Sequence, residues 1–367
     1  MVFEPQKAAV RFVGVLPPPH TGMTAVSDAM HRCLSQRFEL RTVSTRRTRP
    51  LGDTVWSVRK HLALTIGLFR ELIVRPGASP IYMVLDAGSG AWGSALLALL
   101  ARLAGAPLIV HHHVFSYFTH SSRAARLFFA AAGARAVHIT LCGCMRDSLR
   151  TRYGEDRQVV VLSNPAFVQL EGSPRPRDVL TRVGFLGNVT REKGVGLFME
   201  TVRELHRRGL HVEASIAGPV RDETLREEIE AFVNEDASRR AAVGAVYGAD
   251  KQRFLDGIDL LLFPSQYVNE AQPVTIYEGL ASGAPVLATQ RGCVGEQLPA
   301  DWVFPEDDYV FRAADQITRW SSDRSLYAAA AALAGQTWQT AMSRSREELD
   351  NVLNVVDALA RHNAIEA

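Results

Sequence analysis

Near-continuous apolar runs of four to seven residues, rich in Val, Ile, Leu and Phe, recur along this chain between longer stretches whose apolar residues fall three and four apart. A strand that is apolar on both faces needs cover on both, and a helix-length connection between successive strands permits parallel pairing. In the first half the strands are read at 10–16, 81–86, 107–113, 136–142 and 158–165, with helices at 22–37, 93–105 and 145–154. The segment 171–181, EGSPRPRDVLT, interrupts this with proline and charge and reads as a linker. The alternation then restarts. Strands are expected at 182–188, 211–219, 246–249, 259–265 and 285–289, and helices at 194–209, 221–235, 250–257 and 273–283. A helix-rich tail runs through 345–363. The fold class is therefore α/β, as two doubly wound Rossmann-like domains with a cleft for a ligand at the carboxyl ends of the strands. The expected boundaries are 1–168 for the first domain, 169–180 for the linker and 181–342 for the second. A C-terminal helix, about 343–367, is expected to return to the first domain.

The chain of 367 residues is long enough for two ordinary domains, and its 47% hydrophobic and 22% charged residues exclude a disordered class. Cys33, Cys142, Cys144 and Cys293 are too few and scattered for a disulfide framework, which fits a reducing, cytoplasmic setting. Cys142-Gly143-Cys144 has no second Cys/His pair at zinc spacing, so no metal site is expected. Glu4, Lys7 and Arg11 before the first apolar run argue against a signal peptide. The most apolar stretch, 91–110, is cut by Arg102 and Gly105-Ala106-Pro107 and reads as helix, turn and strand rather than a membrane span.

The net charge of +2 hides an asymmetry. Residues 1–168 hold 20 Lys and Arg against 9 Asp and Glu, a net +11; the remainder holds 21 against 30, a net −9. No helix-turn-helix, zinc-finger spacing or RNP-like strand accompanies the basic half, so nucleic acid is not an expected partner. An anionic membrane surface is, through RTVSTRRTRP at 41–50 and the helix-periodic stretch 55–75, which reads equally well as a core-facing helix with a solvated basic rim.

Three loops are candidates for phosphate chemistry. Gly88-Ser89-Gly90-Ala91-Trp92-Gly93 has the G-x-G-x-x-G spacing, but about twenty residues on, where an acid would meet a ribose diol, stand His111, His112 and His113. Helix–strand packing is the expected use of these glycines. LPPPHTGMT, 16–24, puts Gly22 at a helix start, where amides meet anions. In FLGNVTREKGVGLF, 185–198, Gly187, Arg191, Lys193 and Gly194 lie between a strand and a helix N-terminus, where free amides, the positive dipole end and two cations are expected to converge on a diphosphate.

The acids of NEAQPVTIYEGLASGAPVLAT, Glu270 and Glu278, stand eight positions apart around Pro273, which suits a first helical turn. Glu278 then lies roughly 1.4 turns inside the helix, and the two are at most about 12 Å apart along its axis. A retaining glycosidase pair needs about 5–5.5 Å. Acids on offset turns suit hydroxyl groups at two ends of one long ligand, with the amides of Gln272, Val274 and Thr275 between them. Sugar, diphosphate and ribose in that order make a nucleotide-sugar.

These elements, FLGNVTREKG, Glu270 to Glu278 with GLASGAPVLAT, and GCVGEQL behind them, resemble the retaining glycosyltransferases of family four with the GT-B fold, also described as glycosyl transferases group 1. HTGMT, HHHVFSYF and VVVLSNPAF extend the likeness more loosely over the first half. The resemblance implies that Glu270 contacts the donor sugar, Glu278 the ribose and Lys193 the diphosphate, with Gly22 on the phosphate side. Gly187, Asn188, Arg191, Gln272, Pro273, Val274 and Thr275 complete the implied donor site. His113 is the implied catalytic histidine facing the sugar, with His112 and Thr21 as further sugar or acceptor contacts, although three histidines at a strand end also read as structural residues. The chain departs from the family at Asn188, where many members carry arginine, and at Asn164-Pro165, where an Asn-Gly turn is usual.

The expected activity is retaining, metal-independent transfer, without cofactor, from a UDP-, GDP- or ADP-linked sugar to a hydroxyl acceptor. A glycan or lipid-linked saccharide of bacterial surface polysaccharide or glycoconjugate synthesis is the expected acceptor class, reached from the cytoplasm or the inner face of the membrane. A GT-B-fold sugar-nucleotide epimerase or a non-catalytic nucleotide-sugar binding protein would use the same donor site.

Overall fold

The computed structural model describes residues 7–18, 22–47, 52–120, 122–168 and 177–365. Thr21 and residues 169–176 of the expected linker lie outside the described residues. The chain divides into two compact units, Met1–Phe167 with Ser345–Ala367, and Val168–Arg344.

The first unit alternates β1 (Ala9–Val15), α1 (Gly22–Arg37), β2 (Glu39–Thr45), α2 (Asp53–Val74), β3 (Ile81–Leu85), α3 (Gly90–Leu103) and β4 (Leu108–His112). It continues through α4 (Ser116–Thr119), α5 (Arg123–Ala132), β5 (Val137–Thr140), α6 (Gly143–Tyr153) and β6 (Gln158–Val161). The six strands are parallel in the order β2-β1-β3-β4-β5-β6. β2 lies at the edge with only partial burial, and its alternating polar residues hid it among the apolar strand signals. Phe12, Met30, Leu34, Phe38 and Tyr82 build one side of the core.

The second unit runs β7 (Arg182–Leu186), α7 (Val195–Arg207), β8 (Glu213–Ala217), α8 (Glu223–Asn234), β9 (Arg240–Gly244), α9 (Gly248–Gly257) and β10 (Leu260–Phe263). Then follow α10 (Val274–Ala281), β11 (Val286–Thr289), α11 (Val294–Gln297), β12 (Val303–Phe304), α12 (Tyr309–Ser322) and α13 (Arg324–Ile365). Its parallel sheet has the order β12-β11-β10-β7-β8-β9, so the chain starts in the middle, winds outward, returns and winds the other way. The crevice between β7 and β10, where the winding reverses, is where such sheets bind ligands.

The strand expected at 246–249 is instead β9, Arg240–Gly244. Ala241 to Gly244 are exposed on an edge that only backbone pairing to β8 holds, so no apolar run marks them. α13 contributes to both units: Tyr327 Oη donates to the Asp259 carbonyl at 2.7 Å in the second, while Val352 and Val356 enter the core of the first. Glu348 accepts from Ser163 N at 2.8 Å, also in the first unit.

Candidate functional site

β7 ends at Leu186 and β10 at Phe263, and the loops leaving these neighbouring strands form the two sides of the switch point. Gly187 opens the first loop, in open space, and Asn188 is exposed. Gly194 closes that loop as the N-cap of α7 with φ +81°, and a Cβ there would stand 1.8 Å from the Pro264 carbonyl oxygen. Only glycine brings the α7 start this close to the second loop. Gly194→Ala is expected to lower stability by at least about 2 kcal/mol and to weaken donor binding. Urea unfolding and donor titration check both.

That approach puts Lys193 across the crevice from Glu270. Lys193 Nζ lies 2.6 Å from Glu270 Oε2 and 4.7 Å from the Tyr267 ring centroid. Ser265 Oγ donates to the same carboxylate oxygen at 2.8 Å, and Thr289 Oγ1 donates to the Ser265 carbonyl at 2.5 Å. Glu270 is buried, whereas Lys193 keeps about a quarter of its side chain exposed (23%). From behind, Gly292 at φ +45° lies against the Glu270 and Ala271 carbonyls, and Cys293 N donates to Ala271 O at 2.7 Å. The carboxylate is thus fixed by its own loop, by Ser265 and by a close backbone contact.

Gln272 and Pro273 are buried and Val274 and Thr275 half-buried where α10 begins, with Pro273 as the N-cap. The free amides of this first turn carry the positive end of the helix. Glu278, one turn further, is buried and meets Lys251 of α9 at 2.5 Å. Each acid of the pair therefore has a lysine of its own.

The two cations of the first loop do not converge. Arg191 makes a bidentate pair with Glu228 of α8 at 2.8 and 2.7 Å, which holds its guanidinium on that helix while Lys193 turns to Glu270. Sequence reasoning also missed Ser265, Tyr267 and Lys251. Nothing in a serine just after a strand, or in a lysine on a charged helix, marks it as a partner of an acid.

In the first unit, His111 and His112 of β4 are wholly buried. His111 Nδ1 meets Tyr82 Oη at 2.6 Å; His112 Nδ1 meets Tyr117 Oη and its Nε2 meets His138 Nδ1, both at 3.0 Å. Both ring nitrogens of His112 are thus engaged within the first unit. His113 is half-buried as a residue, but its Nε2 is itself buried and has no hydrogen-bond partner among the described residues. Burial lowers the pKa of all four rings: His138 to about 3, His113 to about 4, and His111 and His112 well below the ordinary value. Gly22 starts α1, and a Cβ there would meet nothing within 4 Å among the described residues.

Two glycines of the G-x-G-x-x-G loop, Gly90 and Gly93, serve close packing, against a loop residue and a helix, while Gly88 takes a left-handed φ of +58° with open space around it. A Cβ on Gly93 would strike His61 of α2 at 2.2 Å, and one on Gly90 would stand 2.7 Å from Asp86. Asp86 lies where β3 ends and meets Lys60 Nζ at 2.8 Å and His61 Nε2 at 2.9 Å. Burial would push its carboxyl up, but the His61 hydrogen bond and the Lys60 charge outweigh it and hold it below the usual range.

Residues 181–323 match the family model for glycosyl transferases group 1. Over 168 residues the chain is 27% identical to the putative colanic acid biosynthesis glycosyltransferase WcaL of Escherichia coli (strain K12), an alignment spanning 43% of this chain and 41% of that protein. Among solved structures, Anabaena HepE in complex with UDP superposes with a TM-score of 0.65 at 16% identity, over 93% of this chain and 100% of that one. HepE in complex with UDP and glucose gives 0.64 at 15% identity, over 94% and 100%. The sucrose-phosphate synthase of Thermosynechococcus elongatus gives 0.71 at 13% identity, over 96% and 99%. At these identities the likeness is one of fold, and the fold is the two-domain α/β architecture called GT-B.

Proposed function

We propose that this chain, a group 1 glycosyl transferase by its match over residues 181–323, moves a sugar from a nucleotide-sugar to a hydroxyl acceptor, with retention at the anomeric carbon and no metal requirement. The observation that carries this reading is the Lys193–Glu270 pair across the β7–β10 switch point, beside the start of α10. A diphosphate entering there takes up the Lys193 ammonium and the Val274 and Thr275 amides, with Gly187 and Asn188 leaving room beside it. Freed of its lysine, Glu270 keeps the Ser265 bond and accepts from sugar hydroxyls. Glu278 accepts from the ribose diol. The pair with Glu228 gives Arg191 at most a peripheral part.

In the step itself, the bond from the anomeric carbon to the leaving phosphate oxygen breaks as the acceptor oxygen bonds to the same face. The acceptor's proton passes to the departing phosphate. Lys193 and the α10 amides stabilise the charge that grows on that oxygen, and a preorganised field acts most strongly at such a point. His113 is the first unit's candidate for a sugar hydroxyl; Gly22 and Thr21 are its candidates for phosphate and acceptor. The acceptor class, a glycan or lipid-linked saccharide of surface polysaccharide synthesis, is supported by the name of the E. coli relative, and a UDP-linked donor by the ligands of the HepE structures.

A thermal-shift comparison of UDP-, GDP- and ADP-sugars identifies the donor, because stabilisation follows affinity. Glu278→Gln is expected to raise the donor KM about tenfold with kcat nearly unchanged, the signature of a contact equally strong in ground and transition states. Acceptor-free isomerisation of the donor would assign the site to an epimerase instead, and donor binding with neither transfer nor hydrolysis to a binding protein.

A further inference from the structure

The first unit carries an apolar face that its core does not use. α2 is anchored inward by Leu64 and Leu68, by Gly67 against Val43, and by the Lys60 and His61 bonds to Asp86. These contacts fix the helix's rotation and turn a second stripe outward: Val55, Val58, Leu62, Ile66, Phe69 and Ile73, at steps of three and four. Leu62 is 60% exposed and Phe69 53%. The adjacent α3 repeats the pattern with Trp92, Leu96, Leu99 and Leu103, of which Leu103 is 76% exposed. Singly exposed apolar residues are ordinary, but ten on the outer faces of two neighbouring helices are not.

The charge around this face is mostly of one sign. Between Asp53 and Arg135 stand eight Lys and Arg and three acids, Asp53, Glu71 and Asp86, of which Asp86 is engaged by Lys60 and His61 and Glu71 by Arg11 and Arg75. Arg59, Arg70, Arg102, Arg123 and Arg126 are exposed along α2, α3 and α5. A second copy of the chain docked on this face would set arginines against arginines. No described helix is long and apolar enough to cross a membrane. An outward apolar stripe with a tryptophan at one end and arginines beside it suits a helix lying in the plane of an anionic bilayer. We propose that α2 and α3 form a docking surface for anionic phospholipid, with Leu62, Ile66, Phe69, Trp92 and Leu96 entering the headgroup–acyl boundary and the arginines meeting phosphates.

The test reads binding alone and does not depend on the proposed transfer. The full chain is floated with phosphatidylcholine vesicles, and with vesicles carrying about a third phosphatidylglycerol, at physiological salt. It is expected to rise with the anionic vesicles and to stay behind with the neutral ones. Leu62→Ser combined with Phe69→Ser is expected to weaken binding at least about tenfold at an unchanged melting temperature, because both side chains are exposed. Arg59→Glu with Arg70→Glu is expected to do the same. Without any change to the apolar stripe, brominated lipid is expected to quench fluorescence that the Trp92→Phe variant lacks. Failure of the wild-type chain to float with anionic vesicles overturns the proposal, as does equal binding after the apolar substitutions. A concentration-dependent dimer that Leu62→Ser with Phe69→Ser abolishes would assign the face to a second copy and overturn it as well.

Discussion

Replacing Lys193 by alanine is expected to cut sugar transfer by about 10²–10³-fold, mostly in kcat, while secondary structure stays intact. That is the usual loss when one preorganised group facing a developing charge is removed. Lys193 is suited to such an effect because it is held in place before substrate arrives, 2.6 Å from Glu270 and over the Tyr267 ring. Its removal also leaves the buried Glu270 carboxylate with Ser265 as its remaining side-chain donor among the described residues, at a stability cost of about 1–3 kcal/mol. Glu270→Gln separates the two effects: it retains the shape and a hydrogen-bonding group and removes the charge. It should lose transfer without the full loss of stability. Single-turnover rates and urea unfolding midpoints on the same preparations check this, and near-normal transfer in both variants would sink the assignment.

The second large effect is acid unfolding that begins in the first unit. His111, His112, His113 and His138 all have native pKa values depressed by burial, to about 4 for His113 and about 3 for His138. The unfolded chain therefore binds more protons than the native one once the pH falls below about 6.5, so stability is full above that value and declines below it. At pH 5 His113 and His138 each contribute a loss on the order of 2 kcal/mol, and His111 and His112 act in the same direction. The second unit's depressed acids act lower. Glu235, held down to about 2 by Arg203 and Arg240, weakens that unit only as the pH falls below about 4.5. Hydrogen exchange read by mass spectrometry should show β4 and β5 losing protection near pH 5 while β7 and β10 keep theirs. Unchanged protection of β4 at pH 5 would contradict the assignment of four neutral buried rings.

The parts that were legible in sequence share one physical cause. Strands β1, β3, β4, β7, β8, β10 and β11 are covered on both sides, so burial writes itself into consecutive residues. β2 and β9 sit at sheet edges, where backbone pairing holds a strand that needs little apolar surface, and both were missed or misplaced. The same limit applies at the candidate site. Glu270, Glu278, Lys193 and the proline that starts α10 lie close together in two short stretches, so their spacing was readable. Ser265, Tyr267 and Lys251 act through contacts that span a loop, a ring face or two helices. Arg191 and Lys193 look alike in sequence and part company only because Glu228 lies within reach of one of them.

The amino-acid sequence by itself determined the alternation that makes two parallel sheets, and the acid-proline-acid element with its basic glycine loop, because burial and helix starts are local properties of the chain. The tertiary structure alone decided strand order, and with it the switch point that brings residues 193 and 270 within 2.6 Å across 77 positions of sequence. It also decided which face of α2 looks outward. That helix has two apolar stripes, and only Gly67 against Val43 and the polar bonds to Asp86 choose between them.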